Sequence, residues 1–205
     1  MLPFSAACER NKDPILEVLE VRFADRSLVM EIGSGTGQHA VHFARALPHL
    51  SWYPTEQLQY LADLTERVKL EGAENLRIPT LLDVRQAVWP LRNADAIFTA
   101  NTLHIMSWPE VVAMFRGVGA VLAPGGALCI YGPFRYNGRY TSASNQDFDC
   151  MLKERDPNSG LRDLSAVTEL AAEYGLRLEA DHDLPANNRL LVFAKEPDYA
   201  GLPLP

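Results

Sequence analysis

Residues 28–37 read LVMEIGSGTG. Leu28 to Ile32 is an apolar run interrupted only by Glu31, and Gly33, Gly35 and Gly37 follow at alternate positions. A short apolar run that meets a cluster of glycines reads as a buried parallel strand entering a tight turn. The next residues, QHAVHFARAL, carry apolar side chains at helical spacing. Strand, glycine turn and helix together make a nucleotide-type cradle, because glycine permits positive φ and lets a ligand approach the backbone closely.

The glycine spacing is G-x-G-x-G, whereas the dinucleotide pattern is G-x-G-x-x-G. A dinucleotide site brings its pyrophosphate to the helix N-terminus. Glu31 would place a carboxylate near that point, so a cationic or zwitterionic ligand suits the turn better and a nicotinamide oxidoreductase is disfavoured. The pattern E-x-G-x-G-x-G resembles the first motif of the class I S-adenosylmethionine (SAM)-dependent methyltransferases. That resemblance implies that Gly33, Gly35 and Gly37 cradle the cofactor and that Glu31 organises the site around its methionine part. The plain alternative is a structural turn beside a solvated acid.

Composition frames this reading. A chain of 205 residues suits one domain with a sizeable core. With 47% hydrophobic and 22% charged residues the sequence is ordinary globular protein, not a disordered chain. Nineteen basic and 26 acidic residues leave a net charge of −7, which disfavours a broad nucleic-acid surface. Cys8, Cys129 and Cys150 are odd in number and widely spaced, so neither a zinc cluster nor a disulfide framework follows. No apolar run is long enough to span a membrane, and no basic stretch precedes a long apolar one at the N-terminus. A cytoplasmic location is the resulting expectation.

The remaining elements follow in order. Asp13-Pro14 is a plausible helix start, with Ile15, Leu16, Val18, Leu19 and Phe23 as its apolar stripe. Residues 5–12 before it are crowded with polar groups. In class I methyltransferases this segment commonly folds over cofactor and substrate, which would bring Arg10 and Asn11 to the site; otherwise they are capping and surface residues. His39 and His42 are neighbours on a helix but lack a third metal ligand, so no metal is expected. Residues 50–54 read as the second strand, leading to Glu56. An acid there can accept hydrogen bonds from both ribose hydroxyls; the alternative is a first-turn glutamate of the next helix. Residues 76–84 form the third strand region, interrupted by Pro79. The resemblance sets Asp83 against the adenine amino group and Val84 against the ring; a loop aspartate capping its neighbours is the alternative.

Residues 94–100 are the fourth strand. Asn101, Thr102 and His104 gather at its carboxyl end, where open α/β sheets bind ligands. Asn101 is a reasonable contact for the methionine part. The exit lacks the Asn-Pro-Pro-aromatic motif of nucleic-acid amino methyltransferases, so no nucleic-acid partner is expected. His104 is the candidate acceptor contact or base, since imidazole exchanges a proton near neutral pH; a structural histidine is the alternative. Ser107 and Glu110 have capping-box spacing. Pro124, Gly125 and Gly126 then turn the chain into a fifth strand, 127–131, ending at Tyr131.

The segment 132–162 reads as a substrate cap, similar to the insertion after the fifth strand in methyltransferases. Tyr131, Phe134, Arg135, Tyr136, Arg139 and Tyr140 concentrate rings and guanidinium groups there. Arg135, Tyr136 and Arg139 are candidate substrate ligands, and Tyr131 and Tyr140 join His104 as candidate catalytic groups. Asn188 and Arg189, in the turn between the last two strands, are expected to approach from the other side. The tail 197–205 is Pro-rich and expected to be loose.

The segments AACERNKDPILEVL, EIGSGTGQHAVHFA, FTANTLHIMSW, YGPFRYNGRYTSASN and DLPANNRLLVF together resemble one widespread, poorly characterised family. It is SAM-dependent methyltransferase-like, carries the label of a domain of unknown function, occurs in many proteobacteria and has a distant human methyltransferase-like member. The resemblance spans residues 4–194. It implies an α/β Rossmann-like fold with a predominantly parallel seven-stranded sheet, an antiparallel last strand and helices on both faces. It also implies SAM as cofactor and S-adenosylhomocysteine as product, with methyl transfer to a small polar metabolite by direct in-line displacement. A catalytically silent SAM-binding or interaction module is the rival reading. Neither a membrane nor a particular oligomer is implied.

Overall fold

The computed structural model describes residues 2–197. The helices are α1 (Ala6–Arg22), α2 (Gln38–Ala46), α3 (Leu58–Glu71), α4 (Trp108–Val121), α5 (Ala143–Arg155) and α6 (Leu164–Glu173). The main strands are β1 (Leu28–Ile32), β2 (Ser51–Glu56), β3 (Thr80–Leu81), β4 (Ala94–Ala100), β5 (Leu122–Gly132), β9 (Leu176–Leu184) and β10 (Asn188–Lys195). They form one seven-stranded sheet in the order β3-β2-β1-β4-β5-β10-β9. β10 runs antiparallel to both of its neighbours, while β1, β2, β3, β4 and β5 pair in parallel. This is the expected class I methyltransferase topology. The strand order reverses between β1 and β4, and open sheets bind ligands at such a point, beyond the carboxyl ends of the strands.

Alternation along the strands makes the two layers. Met30, Ile32, Ile97, Leu128, Ile130 and Phe193 point to one face, against Val111, Phe115 and Val118 of α4 and Val167 and Leu170 of α6. Val29, Trp52, Phe98, Cys129 and Val192 point to the other, against Ile15 and Leu19 of α1 and Phe43 of α2. Because both faces are covered, the central strands read as nearly continuous apolar runs. Among the described residues no helix is long and apolar enough to cross a membrane.

Several boundaries differ from the sequence expectation. α1 begins at Ala6, not at Asp13, with Pro14 inside the helix. Ser5 caps it, its side chain accepting from the Cys8 N–H. Pro14 forfeits one helical hydrogen bond, but burial of Asn11, Ile15 and Leu19 on one side holds the turns before and after it together. The third strand contracts to Thr80–Leu81 plus a single bridge from Leu76 to Trp52, since Pro79 lacks the N–H a ladder needs. The fifth strand begins at Leu122, so Pro124, Gly125 and Gly126 lie inside it, at the register shift between Ala94 and Ala96 of its neighbour. The segment 132–162 holds β6 (Phe134–Tyr136), β7 (Arg139–Tyr140), α5 and the start of β8 (Arg162–Asp163), with β7-β6-β8 as a small sheet. The tail expected to be loose, 197–205, lies outside the described residues from Asp198 onward.

α4 starts as its sequence demands: Glu110 reaches back to accept from the Ser107 N–H at 2.8 Å. Farther along, Trp89 lies flat on Gly117, where an added Cβ would sit 2.0 Å from the indole. Gly117→Ala is therefore expected to overpack this contact and cost about 1–3 kcal/mol. Urea denaturation measures the loss; an unchanged midpoint would show that the indole yields freely.

Candidate functional site

The turn after β1 holds three glycines in the left-handed region, with φ of 68° at Gly33, 54° at Gly35 and 76° at Gly37. Their surroundings differ. A Cβ on Gly33 would come within 2.6 Å of Thr102, and one on Gly37 within 2.7 Å of Leu64. Around Gly35 nothing lies within 4 Å of that position. Gly33 and Gly37 thus let loops and helices pack closely, whereas Gly35 turns its bare Cα to open space.

Two acids flank the turn from below. The Glu56 carboxylate, at the end of β2, accepts from the Gly35 N–H at 2.6 Å and from the Gln57 N–H at 2.7 Å. Glu31 lies deeper, only 2% exposed, and accepts from the indole N–H of Trp52 at 2.8 Å. Burial pushes the Glu31 carboxyl up to about 7, with the Glu56 charge adding to the effect. Burial also raises Glu56, against the pull of its two backbone donors. The backbone beneath is tied by Thr55, whose hydroxyl donates to the Glu31 carbonyl at 2.7 Å.

α1 crosses this turn. Its first residues are fastened by Gln38, whose side chain bonds both the N–H and the C=O of Ser5. Arg67 of α3 donates to the carbonyls of Pro3 and Thr36. Asn11 is buried, its Oδ1 2.6 Å from His39 Nε2. Burial holds His39 down at about 4, so its ring is neutral and donates to Asn11. The Tyr131 hydroxyl lies in reach of Asn11 and Asn188, and burial raises its pKa so that it stays a phenol. Arg10 is exposed, near the same hydroxyl.

The exit of β4 forms the opposite wall. Thr99 donates to the Ile32 carbonyl at 2.8 Å and meets the Thr102 hydroxyl at 2.6 Å, joining this exit to the glycine turn. Asn101 is itself left-handed, φ 59°, and its N–H donates to the Tyr131 carbonyl at 2.8 Å. Gly132 packs against both Asn101 and His104. His104 is buried with its ring edge-on to Phe148 of α5, centroids 5.3 Å apart. Burial, helped by the Arg162 charge, lowers it to about 4, so the imidazole is neutral.

Other candidates stand apart or are committed elsewhere. Asp83 is gripped by Arg85, which donates from its backbone N–H, Nε and Nη2, and the guanidinium lowers its pKa. Val84 is buried in the core with Leu82 and Trp89, so its side chain serves packing. Tyr140 donates to Asp149 at 2.6 Å, which raises the phenol pKa and removes it from the role of a base. Tyr136 donates to Asp181, and Arg189 pairs with Asp181 and Asp183, which offset its charge at the β9 edge. Asn188 also turns part of its amide to the carbonyls of Pro185 and Ala186. Arg135 stacks over Tyr140 at 5.9 Å, and Arg139 is exposed on the β7 turn. Trp52, Gln38, Asp149 and Arg162 were not among the sequence candidates. Their positions carry no local signal, because each acts on a partner distant in the chain.

A family model described as a protein of unknown function, DUF938, matches residues 2–195. The chain belongs to the DUF938 family. The fold of this DUF938 chain is similar to that of an O-methyltransferase family protein from Burkholderia thailandensis, at 17% identity and a TM-score of 0.79, over 94% of this chain and 58% of that one. It is also similar to a mitomycin 7-O-methyltransferase, at 20% identity and 0.78, over 91% and 54%. Human N-acetylserotonin methyltransferase in complex with SAM aligns at 16% identity and 0.76, over 93% and 53%. The DUF938 chain therefore spans little more than half the length of these structures, and at such identities the likeness is one of fold.

The glycines separate two effects. Gly35→Ala is expected to cost only the strain of a left-handed alanine, about 1–3 kcal/mol, yet to put a methyl group into the open cradle. Gly37→Ala adds a clash with Leu64 and should be the less stable of the two. Paired thermal melts check the order; equal destabilisation would deny that Gly35 faces open space.

Proposed function

We propose that the chain binds SAM over the 33–37 turn and transfers its methyl group to a small polar acceptor beneath the 132–162 segment. The observation that carries this reading is the Gly35 cradle between two buried acids. A pyrophosphate would meet Glu31 and Glu56 at the helix N-terminus, whereas a ribose diol and an ammonium group match them. Glu56 keeps a free lone-pair direction on each oxygen for two hydroxyl donors. Glu31 supplies a carboxylate for the α-ammonium of the methionine part, and Asn101 a side-chain amide beside it. Asp83 stands at the adenine end in this reading, accepting from the amino group while Arg85 fixes its orientation.

When bound, SAM supplies a methyl group activated by its sulfonium. The contribution of the chain is to position the acceptor and keep its proton accounted for. His104 is neutral, and neither ring nitrogen has a hydrogen-bond partner among the described residues. With a pKa near 4 it suits an acceptor of a hydrogen bond that orients the nucleophile better than a base that retains the proton. Tyr131, held as a phenol, is a donor. Arg10, Arg135 and Arg139 have no acidic partner among the described ion pairs, which favours an acidic or zwitterionic acceptor, since a guanidinium fork matches a carboxylate.

Calorimetry should show binding of SAM and S-adenosylhomocysteine and none of NAD. Because Glu31 must be ionised to hold an ammonium group, affinity should rise with pH through about 7 and level off above it. Glu31→Gln should remove that dependence and weaken binding by about 1.5–3 kcal/mol, the worth of a charged hydrogen bond. NAD binding without SAM binding would reject the proposal. Binding without transfer of a labelled methyl group to any component of a broad metabolite extract would favour the silent binding module.

A further inference from the structure

The loop from Asn101 to Ser107 carries His104 and has no regular secondary structure of its own. Four of its consecutive carbonyls are nevertheless occupied, all by one short segment. The Leu103 carbonyl accepts from Arg162 Nε at 3.0 Å, and the His104 carbonyl from the Gly160 N–H at 2.9 Å. The Ile105 carbonyl accepts from the Ser159 hydroxyl at 2.7 Å, and the Met106 carbonyl from Arg162 Nη2. Arg162 Nη2 also donates to the Asn158 carbonyl at 3.0 Å, closing the segment on itself. Arg162 has no carboxylate within ion-pair distance among the described residues, so carbonyl oxygens alone receive its donors.

This segment is fixed in turn by Asp149, which is fully buried on α5. Asp149 Oδ1 accepts from the Leu161 N–H at 2.6 Å, and Oδ2 accepts from Tyr140 and Lys153. The same helix presents Phe148 to the His104 ring. One buried carboxylate thus joins the β7 turn, α5 and the 158–162 segment, and that segment holds the His104 loop by its backbone.

We infer that residues 158–162 are a clasp that fixes the His104 loop to the cap, with Arg162 as the positioning residue and Asp149 as its anchor. The guanidinium does two separable things. Its fork spans the Leu103 and Met106 carbonyls, on either side of His104, and so sets where the imidazole sits. Its charge, added to burial, opposes protonation of the imidazole. The relevance of the clasp to transfer rests on the methyl-transfer reading; the geometry of the clasp does not.

The test uses the full chain, hydrogen exchange by mass spectrometry and the NMR titration of the histidines. Arg162→Gln should raise amide exchange across 101–107 by about tenfold, the effect of losing one or two hydrogen bonds, and should raise the His104 pKa. Arg162→Lys keeps the charge but lacks the fork, so exchange should rise while the His104 pKa stays near its original value. Exchange in β1 and β2 should not change. Ser159→Ala, which removes one hydroxyl, should raise exchange over 101–107 more modestly and serves if Arg162→Gln does not fold. Exchange at 101–107 that is unchanged, or that rises only in step with the whole chain, would overturn the clasp. So would a His104 pKa that is equally displaced by Lys and Gln. Absence of S-adenosylhomocysteine binding in the unaltered chain would reject the methyl-transfer reading and leave the clasp to be decided by exchange alone.

Discussion

The hydrogen bond from the Gly35 N–H to the Glu56 carboxylate is the constraint on which the site depends. It joins the turn after β1 to the end of β2 and holds the glycine backbone in a conformation that side-chain-bearing residues adopt only with strain. Once that turn is set, Gly37 starts α2, Gly33 admits Thr102 from the β4 exit, and Thr99 ties the β4 exit to Ile32. Three parallel strands therefore end at one place, and the open Cα of Gly35 lies among them.

Two further segments are fastened by different means. The residues leading into α1 are latched by the side chains of Gln38 and Arg67, and α1 itself by the Asn11–His39 contact. The segment 132–162 is held by one buried aspartate and by backbone carbonyls of the β4 exit. A neutral histidine lies against each, His39 beside Asn11 of α1 and His104 beside Phe148 of α5, and each is lowered chiefly by burial. Their effect on stability has a definite sign. Unfolding releases each imidazole to its ordinary pKa, so their contribution is intact above about 6.5 and falls as pH drops towards about 4. Glu31 acts oppositely over much of the same range: its pKa is raised from 4.5 to about 7 in the folded chain, so stability falls as pH rises between these values and the loss is complete above about 7.

The legible parts of the sequence were those with local periodicity or fixed spacing. The glycine turn, the α4 capping box and the apolar strand runs each state their structure within a few residues, while the arrangement of the sheet came from the family resemblance. What could not be read there depends on tertiary partners. Pro14 looked like a helix start because its local preference is for a first turn, but Ser5 and the burial of Asn11 and Ile15 move the start to Ala6. Tyr136 and Arg189 looked like ligands for an acceptor because nothing in the sequence brings Asp181 and Asp183 beside them. Arg162 went unnoticed for the reverse reason: its partners are backbone carbonyls, which have no signature in side-chain identity.

We propose the 33–37 turn and the two acids beneath it as a SAM cradle. A crystal structure of the chain with S-adenosylhomocysteine tests it most directly. Electron density is expected at the carboxyl ends of β1 and β2, with the ligand against Gly35, its ribose hydroxyls on Glu56 and its ammonium group towards Glu31. Ligand density elsewhere on the molecule, or a ribose turned away from Glu56, would contradict it.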